Sequence, residues 1–119
     1  MLATKTAVDQ DTLLGIIDEV LLTATVEAKK SAEAMYNQIR DRDCCGFAWV
    51  TVYDVRSNSR LGKRLQAAGF RKAYNGGLQL WDPSKYPTQS ISVLEAGAYA
   101  YASVLEGVGL RAYAGSRMD

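Results

Sequence analysis

From Asp11 to Asp41 the apolar positions return every three or four residues, at Leu13, Ile17, Val20, Leu21, Ala24, Ala28, Met35 and Ile39. That spacing is the helical period, and Asp11 is suited to cap its start. No proline interrupts the run. An unbroken helix over it is about 45 Å long at 1.5 Å per residue. The remaining chain makes a body only about 30 Å across. The helix is therefore expected to overhang, to break near Thr23 to Thr25, or to lie against another subunit.

The pattern then changes. "GFAWVTVYD" (Gly46 to Asp54) alternates and is rich in β-branched and aromatic residues, so it reads as a strand. Phe47, Trp49, Thr51 and Tyr53 fall on one face; Ala48, Val50 and Val52 fall on the other. Apolar residues on both faces predict a central strand covered on both sides. "SNSRLGKRLQAAGF" reads as a short helix, capped at Ser57, Asn58 or Ser59 and ended by Gly69. "FRKAYNGGLQLWDP" reads as a hairpin turning at Asn75-Gly76-Gly77. After a loop holding Pro83 and Pro87, Ser92 and Glu95 form a capping-box pattern, with Ser90 as a rival cap. The helix they open runs to about Gly107, and "LRAYAGS" is a last strand. Ser116, Arg117 and Asp119 read as a polar tail just beyond it.

From residue 46 the order strand, helix, strand, strand, helix, strand is the ferredoxin-like pattern. The expected fold is α+β: a four-stranded antiparallel sheet of βαββαβ order, preceded by a long N-terminal helix. The chain is expected to be one domain, with a helical extension over 1–43 and an α+β core over 44–119. Ala48, Val50 and Val52 are to face the two core helices. Phe47, Trp49 and Tyr53 are to face the open side, with the N-terminal helix as their lid. Those aromatics also resemble the RNA recognition motif, in which central-strand aromatics stack bases. The third strand, "GLQLW", departs from that motif in having no charge, and packing under the helix is the preferred expectation.

Composition adds exclusions. The 119 residues are 48% hydrophobic and 23% charged, ordinary for a folded globular protein. No apolar run reaches the 18 or so residues of a membrane span, and "MLATKTAV" lacks a signal-peptide core. A cytoplasmic protein with no membrane association is expected. There is no histidine, which excludes Ser-His-Asp and Cys-His catalysis and the usual histidine-containing metal sites. Neighbouring Cys44 and Cys45 read as reduced, mostly buried thiols. Neither cofactor nor metal is expected, and the chain is read as a non-enzyme.

Charge is distributed unevenly. Between Val55 and Trp81 stand Arg56, Arg60, Lys63, Arg64, Arg71 and Lys72 with no acid, while the rest of the chain carries −5. The segment is the candidate binding site for an anionic ligand or partner, either nucleic acid, a phosphate-bearing small molecule or an acidic protein. A solvated helix face neutralised by Asp18, Glu19, Glu27 and Glu33 is the alternative. The surplus apolar stripe of the N-terminal helix predicts a homodimer through Leu13, Ile17, Val20 and Leu21.

"CGFAWV", "GGLQLW", "EAGAYAYASVL" and "AYAGSRMD" resemble a group of small bacteriophage proteins of unknown function, over the C-terminal two thirds of the chain. The resemblance implies a phage-encoded protein in the host cytoplasm and supplies no activity. The expected function is an accessory protein that binds and modulates a host or phage macromolecule through the basic helix. Binding or sequestration of a phosphate-bearing small molecule or nucleic acid is the alternative.

Overall fold

The structure is a computed structural model that describes residues 9–40, 42–74 and 76–119. The helix end expected at Asp41, Asn75 of the hairpin turn and the segment "MLATKTAV" lie outside the described residues. Seven elements follow in order: α1 (Gln10–Ile39), β1 (Gly46–Tyr53), α2 (Arg60–Ala67), β2 (Arg71–Lys72), β3 (Leu78–Trp81), α3 (Ile91–Gly107) and β4 (Arg111–Met118). The fold is α+β, a long N-terminal helix and two further helices with a four-stranded antiparallel sheet of order β2-β3-β1-β4.

β1 is an inner strand. Trp49 lies opposite Trp81 of β3 and Gly115 of β4, and Thr51 lies opposite Gln79 and Tyr113. Ala48, Val50 and Val52 are buried on the side packed by α3. The hairpin after α2 turns where Gly76 and Gly77 take φ of 99° and 82°, values that favour glycine. Ala73 N–H closes it on the Gly77 carbonyl at 3.0 Å.

α1 is one continuous helix of 30 residues, about 45 Å long at 1.5 Å per residue, a length close to the molecule's longest extent of 43 Å. Its N-cap is Asp9, not Asp11, whose own N–H donates to the Asp9 carboxylate at 3.0 Å. Leu13, Ile17, Val20, Leu21, Ala24, Ala28 and Ala32 form its buried stripe, packed chiefly on α3 and less on α2. The lid expectation fails here: α1 joins the helices rather than crossing the aromatic face. Small residues explain the choice. A Cβ on Gly97 of α3 would stand 3.4 Å from the Ala28 carbonyl oxygen, so the two backbones nearly touch along an Ala/Gly seam that bulky rings would not admit. The four residues expected to cross a dimer interface are covered within the single chain, while Ile16, Leu22 and Val26 of α1 stay exposed. Tyr101 of α3 is buried in the same core against Phe70, and burial pushes its phenol up to about 12.

Ser90, not Ser92, caps α3, its hydroxyl accepting from Val93 N–H. The expected polar tail is strand: β4 runs to Met118, Ser116 donates to the Glu95 carboxylate, and Asp119 N–H reaches the Cys45 carbonyl.

Candidate nucleic-acid interface

The period-two alternation of the sheet collects aromatic side chains on its uncovered face. Phe47, Trp49 and Tyr53 come from β1, Trp81 from β3 and Tyr113 from β4. Phe47, Trp81 and Tyr113 are 39%, 43% and 50% exposed. Exposed apolar groups gathered in one place mark a surface that meets something.

The rings are held in place. Trp49 and Trp81, the chain's two tryptophans, stand with centroids 4.7 Å apart and planes 33° apart. Phe47 meets Trp81 edge-on at 6.0 Å. The Trp81 indole N–H donates to Gln79 Oε1 at 3.0 Å, and Gln79 in turn donates to Thr51. A Cβ on Gly115 would lie 2.6 Å from Trp49 Nε1. The missing side chain at Gly115 thus lets the Trp49 indole lie across β4, which a standing side chain would prevent.

Arginines frame this face at both edges. Arg71, opposite Gln79, shares it at the β2 edge. Arg111 and Arg117 share it at the β4 edge, opposite Tyr53 and Phe47. Arg117 lies over the Phe47 ring at 5.7 Å, and Arg111 over Tyr53 and Tyr113 at 5.4 and 5.9 Å. No strand position on the face is acidic. Asp54, just past β1, pairs with Arg111 at 3.4 Å.

The basic segment read from the sequence does not gather into one patch. All six of its residues are exposed. Arg60, Lys63 and Arg64 are on α2, and Arg64 Nε donates to Asp18 of α1 at 3.0 Å. Arg56 precedes α2. Arg71 belongs to the aromatic face, while Lys72, opposite Leu78, points to the other side. Trp81, Tyr113, Arg111 and Arg117 share the aromatic face and are not among the six basic residues put forward from the sequence. The signal was the alternation in "LQLW" and "RAYAGSR", which places them on the face of Phe47, Trp49 and Tyr53.

A second polar cluster sits where the chain enters the sheet. Cys44 and Cys45 are exposed rather than buried, because both precede the covered part of β1. Asp43 accepts from the Ser90 hydroxyl and, at 2.9 Å, from Ser92 N–H. Those serine hydrogen bonds hold its carboxyl below the usual carboxylate range. A carboxylate kept ionised at a helix start serves the cap rather than proton transfer. Ser90→Ala should cost about 1 kcal/mol, read by urea denaturation at neutral pH. Because the folded-state pKa is depressed, the stabilisation is present above the unfolded carboxylate value of about 3.9 and is lost as pH falls through the lower folded value. Asp43→Asn should therefore lower stability at neutral pH and flatten its decline in acid; an unchanged acid limb would remove Asp43 from the cap.

Among the described residues no group of three Cys, Asp or Glu side chains is placed to hold a metal ion, and no helix is long and apolar enough to cross a membrane. Comparison with family models, curated proteins and solved structures gives no match to this chain.

Proposed function

We propose that the protein is a non-enzymatic binding module that takes single-stranded nucleic acid on the open face of its sheet. The observation that carries this reading is the cluster of exposed Phe47 and Trp81 with half-buried Trp49, framed by Arg71, Arg111 and Arg117 with no acid among the strand positions. Flat, pre-positioned rings suit stacking on unpaired bases, and the flanking guanidiniums suit the phosphates. A duplex keeps its base faces covered and offers the rings nothing to stack on. An acidic protein surface would pair with the arginines and leave the indoles unused.

The strand order supports reading the core as ferredoxin-like, with α2 and α3 as its two crossovers. The contact moves from the basic helix to the sheet, and α2 becomes an accessory electrostatic surface. A phage-encoded accessory protein in a host cytoplasm is the setting that the sequence resemblance suggests.

The test uses the two tryptophans, both on the proposed face. Titration with oligothymidylate should quench their fluorescence, with an affinity that falls steeply as salt rises. A duplex of the same length should leave the emission nearly unchanged. Emission indifferent to the single strand at low salt would sink the proposal. Equal response to duplex would remove stacking from it.

A further inference from the structure

β4 is the long free edge of the sheet. Its eight residues pair with β1 on one side, and no described residue pairs with them on the other. Asp119 N–H donates to the Cys45 carbonyl at 3.1 Å, which sets the parity of the ladder. Odd-numbered residues turn their backbone groups to β1, and Ala112, Ala114, Ser116 and Met118 turn theirs outward. An unpaired edge of this length is a template for another strand.

The side chains select which strand. β4 can pair antiparallel with itself and keep every residue on its own face in registers centred on Ala114 or on Gly115. Centring on Ala114 sets Arg111 opposite Arg117 of a second copy, like charge against like. Centring on Gly115 sets Arg111 opposite Asp119 and Tyr113 opposite Arg117, so each charge meets an opposite charge or a ring. Gly115 then faces its own copy across the two-fold axis, with no side chain of its own and the Trp49 indole of each copy lying over it on the aromatic face. The same register sets Met118, 65% exposed, beside Ala112 of the second copy on the helical side. Tyr99, 63% exposed, stands one helical turn beyond Glu95, whose carboxylate accepts from Ser116, and so lies near the same edge.

We propose that the chain pairs with a second copy of itself along β4, antiparallel and centred on Gly115, to join two four-stranded sheets into one continuous sheet. The two-fold axis stands perpendicular to that sheet. Both aromatic faces therefore lie on the same side, with Arg111 and Arg117 of both copies along the seam. The pairing does not rest on the nucleic-acid reading, although it would give that reading a longer track.

Light scattering on the full chain, well above micromolar concentration, should report twice the 13.0 kDa chain mass; a mass of 13.0 kDa would overturn the proposal. Arg111→Asp and Asp119→Arg separate this register from any other. Both positions are exposed, and circular dichroism should show the fold kept. Each variant alone opposes like charges twice and should dissociate about tenfold more readily. Mixed in equal amounts, the two restore both opposite-charge pairs, and the dimer should return. Variants that dimerise as the unmodified chain does, or a mixture no tighter than its components, would overturn the Gly115-centred pairing. Neither readout involves nucleic acid, so its outcome is independent of the fluorescence titration.

Discussion

Ile17→Asp should leave the chain unfolded at room temperature, although the position lies far from the aromatic face. Ile17 is fully buried in the stripe that α1 lays on the other helices. Removing a large aliphatic group from such a site costs about 2 to 5 kcal/mol. An ionised carboxylate without a partner adds several kcal/mol more, whether it stays charged or must bind a proton to remain. The sum is comparable to the whole stability of an ordinary domain, about 5 to 15 kcal/mol. Leu22→Asp on the same helix is the control: Leu22 is 65% exposed, and its replacement should change stability by less than about 0.5 kcal/mol. Far-ultraviolet circular dichroism with urea denaturation reads both. A folded, monomeric Ile17→Asp protein would instead return α1 to an intersubunit role.

The elements of the fold were legible because each carries its own period. The three- and four-residue spacing of α1, the alternation of β1, and the glycines at 76 and 77 are local signals with local physical causes. The side on which α1 docks was not legible in the same way. It depends on the close approach of α1 to α3, seen where Gly97 nears the Ala28 carbonyl, a match between elements about 70 residues apart that periodicity within one element does not contain. Length alone suggested surplus apolar surface, yet much of the stripe is alanine, which needs only a close neighbour to be covered.

The aromatic face was half legible. Phe47, Trp49 and Tyr53 were assigned to the open side from alternation alone. The charge count runs along the chain, whereas a surface is assembled across strands. Arg71 and Lys72 are neighbours in sequence and point to opposite sides of the sheet. Arg111 and Arg117 lie 30 and 36 residues beyond Trp81, the end of the basic segment, and yet share the face with Arg71. Gly115 carried no chemical signal of its own; its value comes from the indole that crosses it.

Trp81→Ala and Phe47→Ala should each weaken binding of a single-stranded oligonucleotide by about five- to 150-fold, the equivalent of about 1 to 3 kcal/mol for each stacked base. Both side chains are more than a third exposed, so the variants should remain folded and the loss should be one of affinity. Arg71→Gln and Arg117→Gln act differently. Each removes one phosphate contact, and the slope of log affinity against log salt should fall by about 0.7 per arginine. The aromatic variants should lower the affinity while leaving that slope unchanged, since stacking releases no counterions. Arg60→Gln with Lys63→Gln supplies the decisive comparison. With the strand seated on the sheet, those α2 residues contribute only at long range, and their loss should weaken binding less than Trp81→Ala does. If α2 is the true contact the order reverses: the α2 pair abolishes binding and flattens the salt slope, Trp81→Ala binds as the unmodified chain does, and the aromatic face loses its role.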